Sequence, residues 1–383
     1  MRLLLAIPYY APAYAFGGSV TVAETMVNGL LAAGHEVTVA TTDVLDERRR
    51  VAHVPDAGSH GRTDVLRFSN LSHRLAAGLN AYTPRGLRAW LAANMSRFDV
   101  ALLQDVYSPV SVMTARAAVR ARVPYVLQPL GTLSPARERG RPLLKRAFLE
   151  LWGRRTVRSA AALMYLGDHE AAAFLAAGGS GERLVHMPLP LDLPDPTVGA
   201  KATRPTVAFV GRLHPIKGID RLIEAVVTAR QEVPDVRLEV VGPGGRYRKA
   251  LEALVRRLDA NEAVRFHGFV EQDEKLRILR SAHVSALLSR SEGLPMAALE
   301  AMACGTPVVL SHGCHLDEVQ GVAGLVTGES ADEAAAALIK VLSDEPLRQQ
   351  LAGGAVEFAG RYRWENVMPE MIRALEGILG HGG

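Results

Sequence analysis

Two doubly wound α/β domains of parallel sheet are the fold this chain predicts, and three observations carry that expectation. Short apolar runs of strand length recur along the chain and alternate with helical stretches. A proline-bearing stretch, 189–205, breaks the rhythm once, near the middle. The 383 residues suffice for two domains, or three at most, at roughly 100–200 residues each. Hydrophobic residues make up 48% of the chain and aromatics only 5%, so the cores must be aliphatic and alanine-rich. That suits packed parallel sheets better than a carbohydrate-binding sandwich lined with Trp.

Residues 2–7 read as the first strand. Met1 to Ile7 also looks like the start of a signal peptide, but the run is short and Pro8, Tyr9 and Tyr10 break it. A glycine-bearing loop follows over 8–18, then a helix over 19–33 and a second strand over 36–41. Gly34 is a natural helix stop. This βαβ unit implies parallel strands joined by a right-handed crossover. Further strands are expected at Val100–Leu103, Tyr125–Leu127, Ala162–Leu166 and Leu184–Met187. Pro190, Pro194, Pro196 and Pro205 mark a linker. A second series follows at Val207–Val210, Leu238–Val241, Val264–Phe266, Val284–Leu288, Val308–Leu310 and Gly324–Val326. Trp364 to Leu379 reads as a closing helix. The expected division is 1–190 for the first domain, 191–205 for the linker, 206–362 for the second domain and 363–383 for the closing helix. Ligands collect at the carboxyl ends of parallel strands, so a cleft between the domains is the expected site.

The charge excludes some classes. Residues 134–159 hold eight Arg or Lys against two Glu, a net of +6, which leaves about −2 for the rest of a chain whose formal charge is +4. The basicity is local, whereas a nucleic-acid binder more often spreads it over a face, so no nucleic-acid partner is expected. Cys304 and Cys314 are the only cysteines. Ten residues apart, they make neither a zinc set nor a redox pair. His312 and His315 flank Cys314, but no fourth well-spaced ligand joins them. A reducing cytoplasm is the simplest compartment. No run approaches the ~20 apolar residues of a membrane span.

The sharpest motif is Glu292, seven residues, then Glu300, within Ser291-Glu292-Gly293-Leu294-Pro295-Met296 and onward to Gly305-Thr306-Pro307. Glu292 lies in the loop after a buried strand. Pro295 suits the first turn of the next helix, and Glu300 falls more than a turn inside it. The helix start, with unpaired N–H groups and partial positive charge, suits a phosphate. Two solvated helix glutamates would also give this spacing. Earlier, Gly211-Arg212 follows another apolar strand, with Lys217 five residues on. Arg clamps phosphate bidentately and Lys adds a compact charge. Together with the helix start they can neutralise a diphosphate leaving group without a metal, and the chain holds no Asp-x-Asp pair. Gly17-Gly18 lets the first loop approach a ligand, although a plain turn reads the same. Gly242-Pro243-Gly244-Gly245 opens like a dinucleotide fingerprint, but Tyr247 stands where the third glycine is needed. A dehydrogenase is therefore disfavoured.

These segments resemble the retaining nucleotide-sugar glycosyltransferases of the GT-B fold, family four. The resemblance rests on Tyr14-Ala15-Phe16-Gly17-Gly18-Ser19 with Gly34-His35-Glu36-Val37, on Val210 to Asp220, and on Ser291 to Val309, in that order along the chain. It implies two Rossmann-like domains facing a cleft, the first on the acceptor side and the second binding the donor. The implied catalytic residues are Arg212, Lys217, Glu292 and Asp105. Gly17, Gly18, Gly211, Gly268, Phe269, Gly293, Leu294, Pro295 and Glu300 would bind the donor, with Glu300 accepting from ribose hydroxyls. Tyr107, Gln128 and Gly131 would line the acceptor or sugar pocket. His267 reads as a packed strand-end residue, and Glu318 matches a late family glutamate. One departure stands out. Family members commonly carry a histidine where Leu130 stands here, and a second where this chain has Gln104-Asp105. Asp105, Tyr107 and Gln128 are the substitutes.

The expected activity is therefore metal-independent, retaining transfer of a hexosyl unit from a nucleoside-diphosphate sugar to a glycan or lipid-linked hydroxyl. The nucleotide sugar is a co-substrate, with UDP-sugar expected over GDP-sugar, and no further cofactor is implied. Cell-surface polysaccharide or glycolipid synthesis is the expected setting. The alternatives are epimerase-like chemistry and a non-catalytic nucleotide-sugar binder. In the basic stretch, Leu143, Ala147 and Leu151 recur every four residues, as do Leu144, Phe148 and Trp152. Either a core helix or a membrane-surface helix has that make-up. The second reading makes residues 134–159 face an anionic membrane surface and the protein peripheral at the inner face.

Overall fold

In the computed structural model, residues 1–16, 18–46, 48–51, 63–79, 81–130, 147–196 and 199–380 are described. The chain divides into two compact units: Met1–Asp192 with Trp364–Gly383, and Leu193–Arg363.

Unit 1 is built on a seven-stranded sheet. Its strands are β1 (Arg2–Ala6), β2 (Glu36–Thr42), β3 (Thr63–Phe68), β4 (Val100–Gln104), β5 (Tyr125–Gln128), β6 (Ala162–Tyr165) and β7 (Leu184–His186). They run in the order β3-β2-β1-β4-β5-β6-β7, with every pairing parallel. Apolar residues alternate between the two faces, as the period of two requires. Leu3, Leu5, Val37, Val39 and Leu102 pack on one side against the helices Gly18–Ala32 and Trp364–Gly380. Leu4, Ala6, Leu103 and Leu127 pack on the other, against Leu87–Asn94, Pro109–Ala121 and Asp168–Ala176. Both faces are covered, which is why the strands read as continuous apolar runs. The exception is β3, for which the sequence raised no expectation. Thr63, Asp64 and Arg67 interrupt its apolar residues, and none of its six residues is fully buried. An edge strand tolerates that composition.

Unit 2 carries a six-stranded parallel sheet: β8 (Thr206–Val210), β9 (Arg237–Val241), β10 (Val264–Gly268), β11 (Val284–Leu287), β12 (Val308–Ser311) and β13 (Gly324–Thr327). The order is β10-β9-β8-β11-β12-β13. In both units the strand order reverses direction between the first strand and the fourth. The reversal lies between β1 and β4 in unit 1, and between β8 and β11 in unit 2. Loops leaving two such strands diverge to opposite sides and open a crevice at their carboxyl ends. This topology therefore selects 7–16 with 105–108, and 211–218 with 288–295, as the ligand-facing segments.

Candidate functional site

In unit 2 the two switch-point loops are tied to each other. Gly218 adopts φ 63°, and a Cβ there would lie 2.1 Å from the Leu288 carbonyl oxygen, so only glycine lets the β8 loop lie against the end of β11. The Arg290 N–H donates to the Ile216 carbonyl at 2.7 Å, and its guanidinium donates to the Pro215 carbonyl at 2.6 Å. Lys217 Nζ then meets Glu292 Oε1 at 2.6 Å. The Ser289 hydroxyl donates to the same oxygen, and the Glu292 N–H donates to Gly313 O at 2.8 Å. Lys217 and Glu292 are mostly buried, at 20% and 11% side-chain exposure. The ammonium is thus held in place by a carboxylate on a rigid loop, and little reorganisation is needed before it meets an anion. Lys217 lies just before the helix that follows its strand, not at its start. It closes the single turn Pro215–Lys217, and the helix Ile219–Ala229 starts after Gly218.

Arg212 is exposed and makes no ion pair or hydrogen bond among the described residues, leaving all its donors for a ligand. Gly211 N–H donates to the Val241 carbonyl, and at Gly242 (φ 142°) a Cβ would lie 1.9 Å from the Gly211 carbonyl oxygen. The β8 and β9 loops therefore touch backbone to backbone. Pro295 stands immediately before the helix Met296–Ala303, not within its first turn. Gly293 and Leu294 N–H groups bond to no backbone carbonyl among the described residues. Glu300, the fifth residue of that helix, pairs with Lys275 of the helix Gln272–Ser281 at 2.8 Å. Both carboxylates of the E-x7-E motif thus have a lysine partner. Cys314 donates to the Leu287 carbonyl, and burial first, then the charge of Glu292, pushes its thiol up to about 12, so it stays neutral.

The other unit 2 candidates sit on β10 and beyond. Gly268 has φ 77° and its carbonyl accepts from Gly242 N–H at 2.7 Å. Phe269 follows it, 71% exposed. His267 faces Glu239 on β9 at 2.5 Å, a packed strand-end pair. Glu318 is exposed on the short turn Asp317–Val319. His312 pairs with Asp317 at 3.1 Å.

Unit 1 is different in kind. Gln104 and Gln128 close β4 and β5 side by side, each 1% exposed, with Gln104 Nε2 donating to Gln128 Oε1 at 2.7 Å. The other amide atoms, Gln104 Oε1 and Gln128 Nε2, have no partner among the described residues. Asp105 leaves β4 with φ 107°, a region non-glycine residues rarely occupy. Its carboxylate accepts from the Tyr107 N–H at 2.9 Å, and its carbonyl accepts from the Ser111 hydroxyl. Such an outlier, held by the structure around it, is often found at a functional site. Leu130, at the familiar histidine position, has φ 53°. Gly18 opens the helix Gly18–Ala32, whose Glu24 accepts from the Tyr14 hydroxyl at 3.1 Å. Gly17 and Gly131 lie outside the described residues, as do Arg137, Arg139 and Arg141. In the described part of the basic stretch, Leu151 and Trp152 face outward and not into a core, at 67% and 41% exposure.

Sequence reasoning missed Lys275, Ser289 and Arg290. Ser289 and Arg290 sit beside the motif and were open to inspection. Lys275 lies 25 residues from Glu300 and on a different helix, so no local pattern marks it. Among the described residues, no helix is long and apolar enough to cross a membrane.

Residues 195–357 match the family model described as glycosyl transferases group 1, and residues 17–190 match the glycosyl transferase 4-like domain. Over 190 residues, the chain is 35% identical to D-inositol 3-phosphate glycosyltransferase of Corynebacterium urealyticum, covering 47% of this chain and 45% of that protein. Over 234 residues it is 31% identical to a GDP-mannose-dependent monoacylated alpha-(1-6)-phosphatidylinositol monomannoside mannosyltransferase of Corynebacterium glutamicum, covering 55% and 60%. The chain spans about half the length of these relatives. HepE of Anabaena, solved with UDP and glucose, superimposes with a TM-score of 0.74 at 20% identity, covering 98% of this chain and 100% of that one. Sucrose-phosphate synthase of Thermosynechococcus elongatus gives 0.73 at 20%, covering 99% of each. At that identity the two structures speak for the fold, which is GT-B.

Proposed function

The chain belongs to the group 1 glycosyl transferases, and from that premise we propose that it is a retaining, metal-independent hexosyltransferase. It takes its sugar from a nucleoside-diphosphate donor, a UDP-sugar before a GDP-sugar, and passes it to a hydroxyl of a glycan or lipid-linked acceptor. The observation that carries this reading is the fixed Lys217–Glu292 pair at the switch point of unit 2, beside the unpaired Arg212. Arg212 and Lys217 take the diphosphate, the N–H groups of Gly293 and Leu294 add donors, and Glu300, oriented by Lys275, accepts from the ribose. Gly211, Gly268, Phe269 and Pro295 shape the walls. Glu292 serves twice, holding the ammonium and facing the sugar.

In the transfer, the bond from the anomeric carbon to the phosphate oxygen breaks as the acceptor oxygen bonds to the same face of that carbon. The acceptor's proton passes to the departing phosphate. No histidine is required for this, which accommodates Leu130, Gln104 and Asp105. Asp105, Tyr107 and Gln128 take the acceptor side, and the first-loop Gly18 faces the donor. Surface polysaccharide or glycolipid synthesis, with the protein cytoplasmic and peripheral at the inner membrane face, is the setting this reading favours.

The test is a panel of nucleotide sugars in thermal shift, followed by turnover of the best binder. A ligand bound only to the native state raises the melting temperature. One class of nucleoside-diphosphate sugar should do so, and the same donor should be consumed with retention at the anomeric carbon. Binding without hydrolysis or transfer under any acceptor would leave a non-catalytic binder instead.

A further inference from the structure

We propose that unit 1 carries a second ligand site, formed by Arg116, Arg120 and Arg155, that takes a phosphate group borne by an amphiphile. It is separate from the donor chemistry and does not rest on it. The site is a cavity of about 210 Å³ between the helix Pro109–Ala121 and the helical segment 149–159. Trp152, Thr156 and Tyr125 complete its wall.

Its position sets it apart. Tyr125 is the first residue of β5 and Gln128 the last. Three strand steps, about 10 Å, separate them. Arg116 and Arg120 lie in the second half of a helix that starts at the carboxyl end of β4 and runs back. The cavity therefore opens at the amino ends of the strands, opposite Gln104, Asp105 and Gln128. Ligands of doubly wound sheets bind at the carboxyl ends, so this cavity is not part of the acceptor pocket.

Its chemistry selects the ligand. Among the described residues, no acid lines the cavity. Arg116 and Arg120 are four apart on one helix, where like charges repel, and Arg155 joins them from the facing segment. None of the three guanidinium groups has an ion-pair or hydrogen-bond partner among the described residues, and the nearby Glu150 is taken by Arg154 at 2.8 Å. Three unpaired guanidinium forks around one cavity match a phosphate, which they can grip bidentately. The volume is below the ~300–1,000 Å³ of usual small-molecule sites, so it admits a phosphate and a short linker but not a whole nucleotide sugar. At the rim, Val119 and Trp152 are 46% and 41% exposed, and Leu151, next to Trp152 in the chain, is 67% exposed. These large apolar groups give an acyl or alkyl chain something to pack on. The turn that carries Leu151 and Trp152, Leu149–Gly153, is a π-helix, a local rearrangement often found at functional sites.

The test uses the full chain and two probes: dihexanoyl phosphatidic acid below its micelle concentration, and inorganic phosphate. Calorimetry at low salt should show phosphatidic acid binding. Arg116→Ala with Arg155→Ala should weaken it tenfold or more, and Arg155→Lys should weaken it less, because charge is kept and the fork is lost. Melting temperature and donor hydrolysis should stay at wild-type values in each variant. Inorganic phosphate bound as tightly as phosphatidic acid would keep the phosphate site but assign it to free phosphate or a soluble phosphate ester. No binding of either probe, or binding that the double variant leaves unchanged, would overturn the proposal.

Discussion

At the carboxyl ends of the unit 2 sheet, Glu292 faces Lys217 and Glu300 faces Lys275, each pair within 2.8 Å. Where β4 and β5 of unit 1 end, the buried groups are Gln104 and Gln128, both neutral, next to an Asp105 held in a strained backbone, and the buried carboxylate of that edge, Asp43, lies apart at the end of β2, paired with Arg50. The difference matches two chemical tasks. Stabilising a departing diphosphate requires charge fixed in advance, because a cation that must first be recruited and desolvated contributes less in the transition state. Orienting a neutral hydroxyl requires hydrogen-bonding atoms and shape. On the reading proposed above, Gln104 Oε1 and Gln128 Nε2, which have no hydrogen-bond partner among the described residues, would supply one acceptor and one donor for that purpose.

The comparison breaks most sharply at Lys217. Lys217→Ala removes the cation and also leaves Glu292 as an unpaired carboxylate beside the phosphate. Turnover should fall on the order of 10²–10³, the cost of losing one charge-stabilising donor. Arg212→Ala should fall in the same range with the wild-type melting temperature, whereas Lys217→Ala should also lower the melting temperature, because the mostly buried Glu292 loses its ammonium. Near-normal turnover in both would remove the donor assignment from unit 2. Adding Glu292→Gln to Lys217→Ala should recover part of the loss, because the uncompensated charge goes with it. Recovery is not expected if Glu292 acts chiefly on the sugar, so the double variant separates its two roles.

Next in size is the second pair. Glu300→Ala should weaken nucleotide binding by roughly ten- to a hundredfold, the worth of one charged hydrogen bond. Lys275→Ala should weaken it less, because Lys275 only orients the carboxylate. Direct titration of the nucleotide measures this without turnover. A nucleoside lacking the ribose hydroxyls should bind the wild type and Glu300→Ala equally. In unit 1 the effect should be smaller and of another kind. Asp105→Asn should cost at most about tenfold in turnover, one ordinary polar contact, with donor affinity unchanged. A change in donor affinity would place Asp105 on the wrong side of the comparison.

The same contrast governs what could be read from the sequence. Most strands were legible because parallel strands buried on both faces are continuous apolar runs, as Val207 to Val210 and Val308 to Leu310 are. β3 was not, because an edge strand needs only part of that burial and Thr63, Asp64 and Arg67 hide its pattern. The unit 2 site was legible where its residues are consecutive and chemically distinctive, as in Gly211-Arg212 or Glu292-Gly293. Its pairings were not, since Lys217 meets Glu292 across 75 residues and Lys275 meets Glu300 across 25. Sheet topology makes those contacts, and no window of sequence contains them. In unit 1 the pair Gln104–Gln128 was harder still. Glutamine has no charge to mark it, and only the β4–β5 register brings the two together. The outward turn of Leu151 and Trp152 also escaped the periodicity. A helical spacing fixes which residues share a face but not what that face meets.

The smallest expected effect is none at all, and it tests the contrast from the other side. If fixed lysine and arginine neutralise the diphosphate, a divalent ion has no part left to play. A metal would need oxygen ligands at the phosphate end of unit 2. Glu292 and Glu300 are the carboxylates offered by the E-x7-E motif, and each already holds an ammonium within 2.8 Å. Recruiting either to a cation would set a metal against a lysine at close range and strip that lysine of its partner. Turnover of the best donor in EDTA should therefore match turnover without it, and added magnesium or manganese should change it little. Loss of activity in EDTA, restored by either ion, would mean that the lysine pairs open to admit a metal. In that case Lys217→Ala should become less harmful as magnesium rises, and that titration would show which cation the enzyme uses.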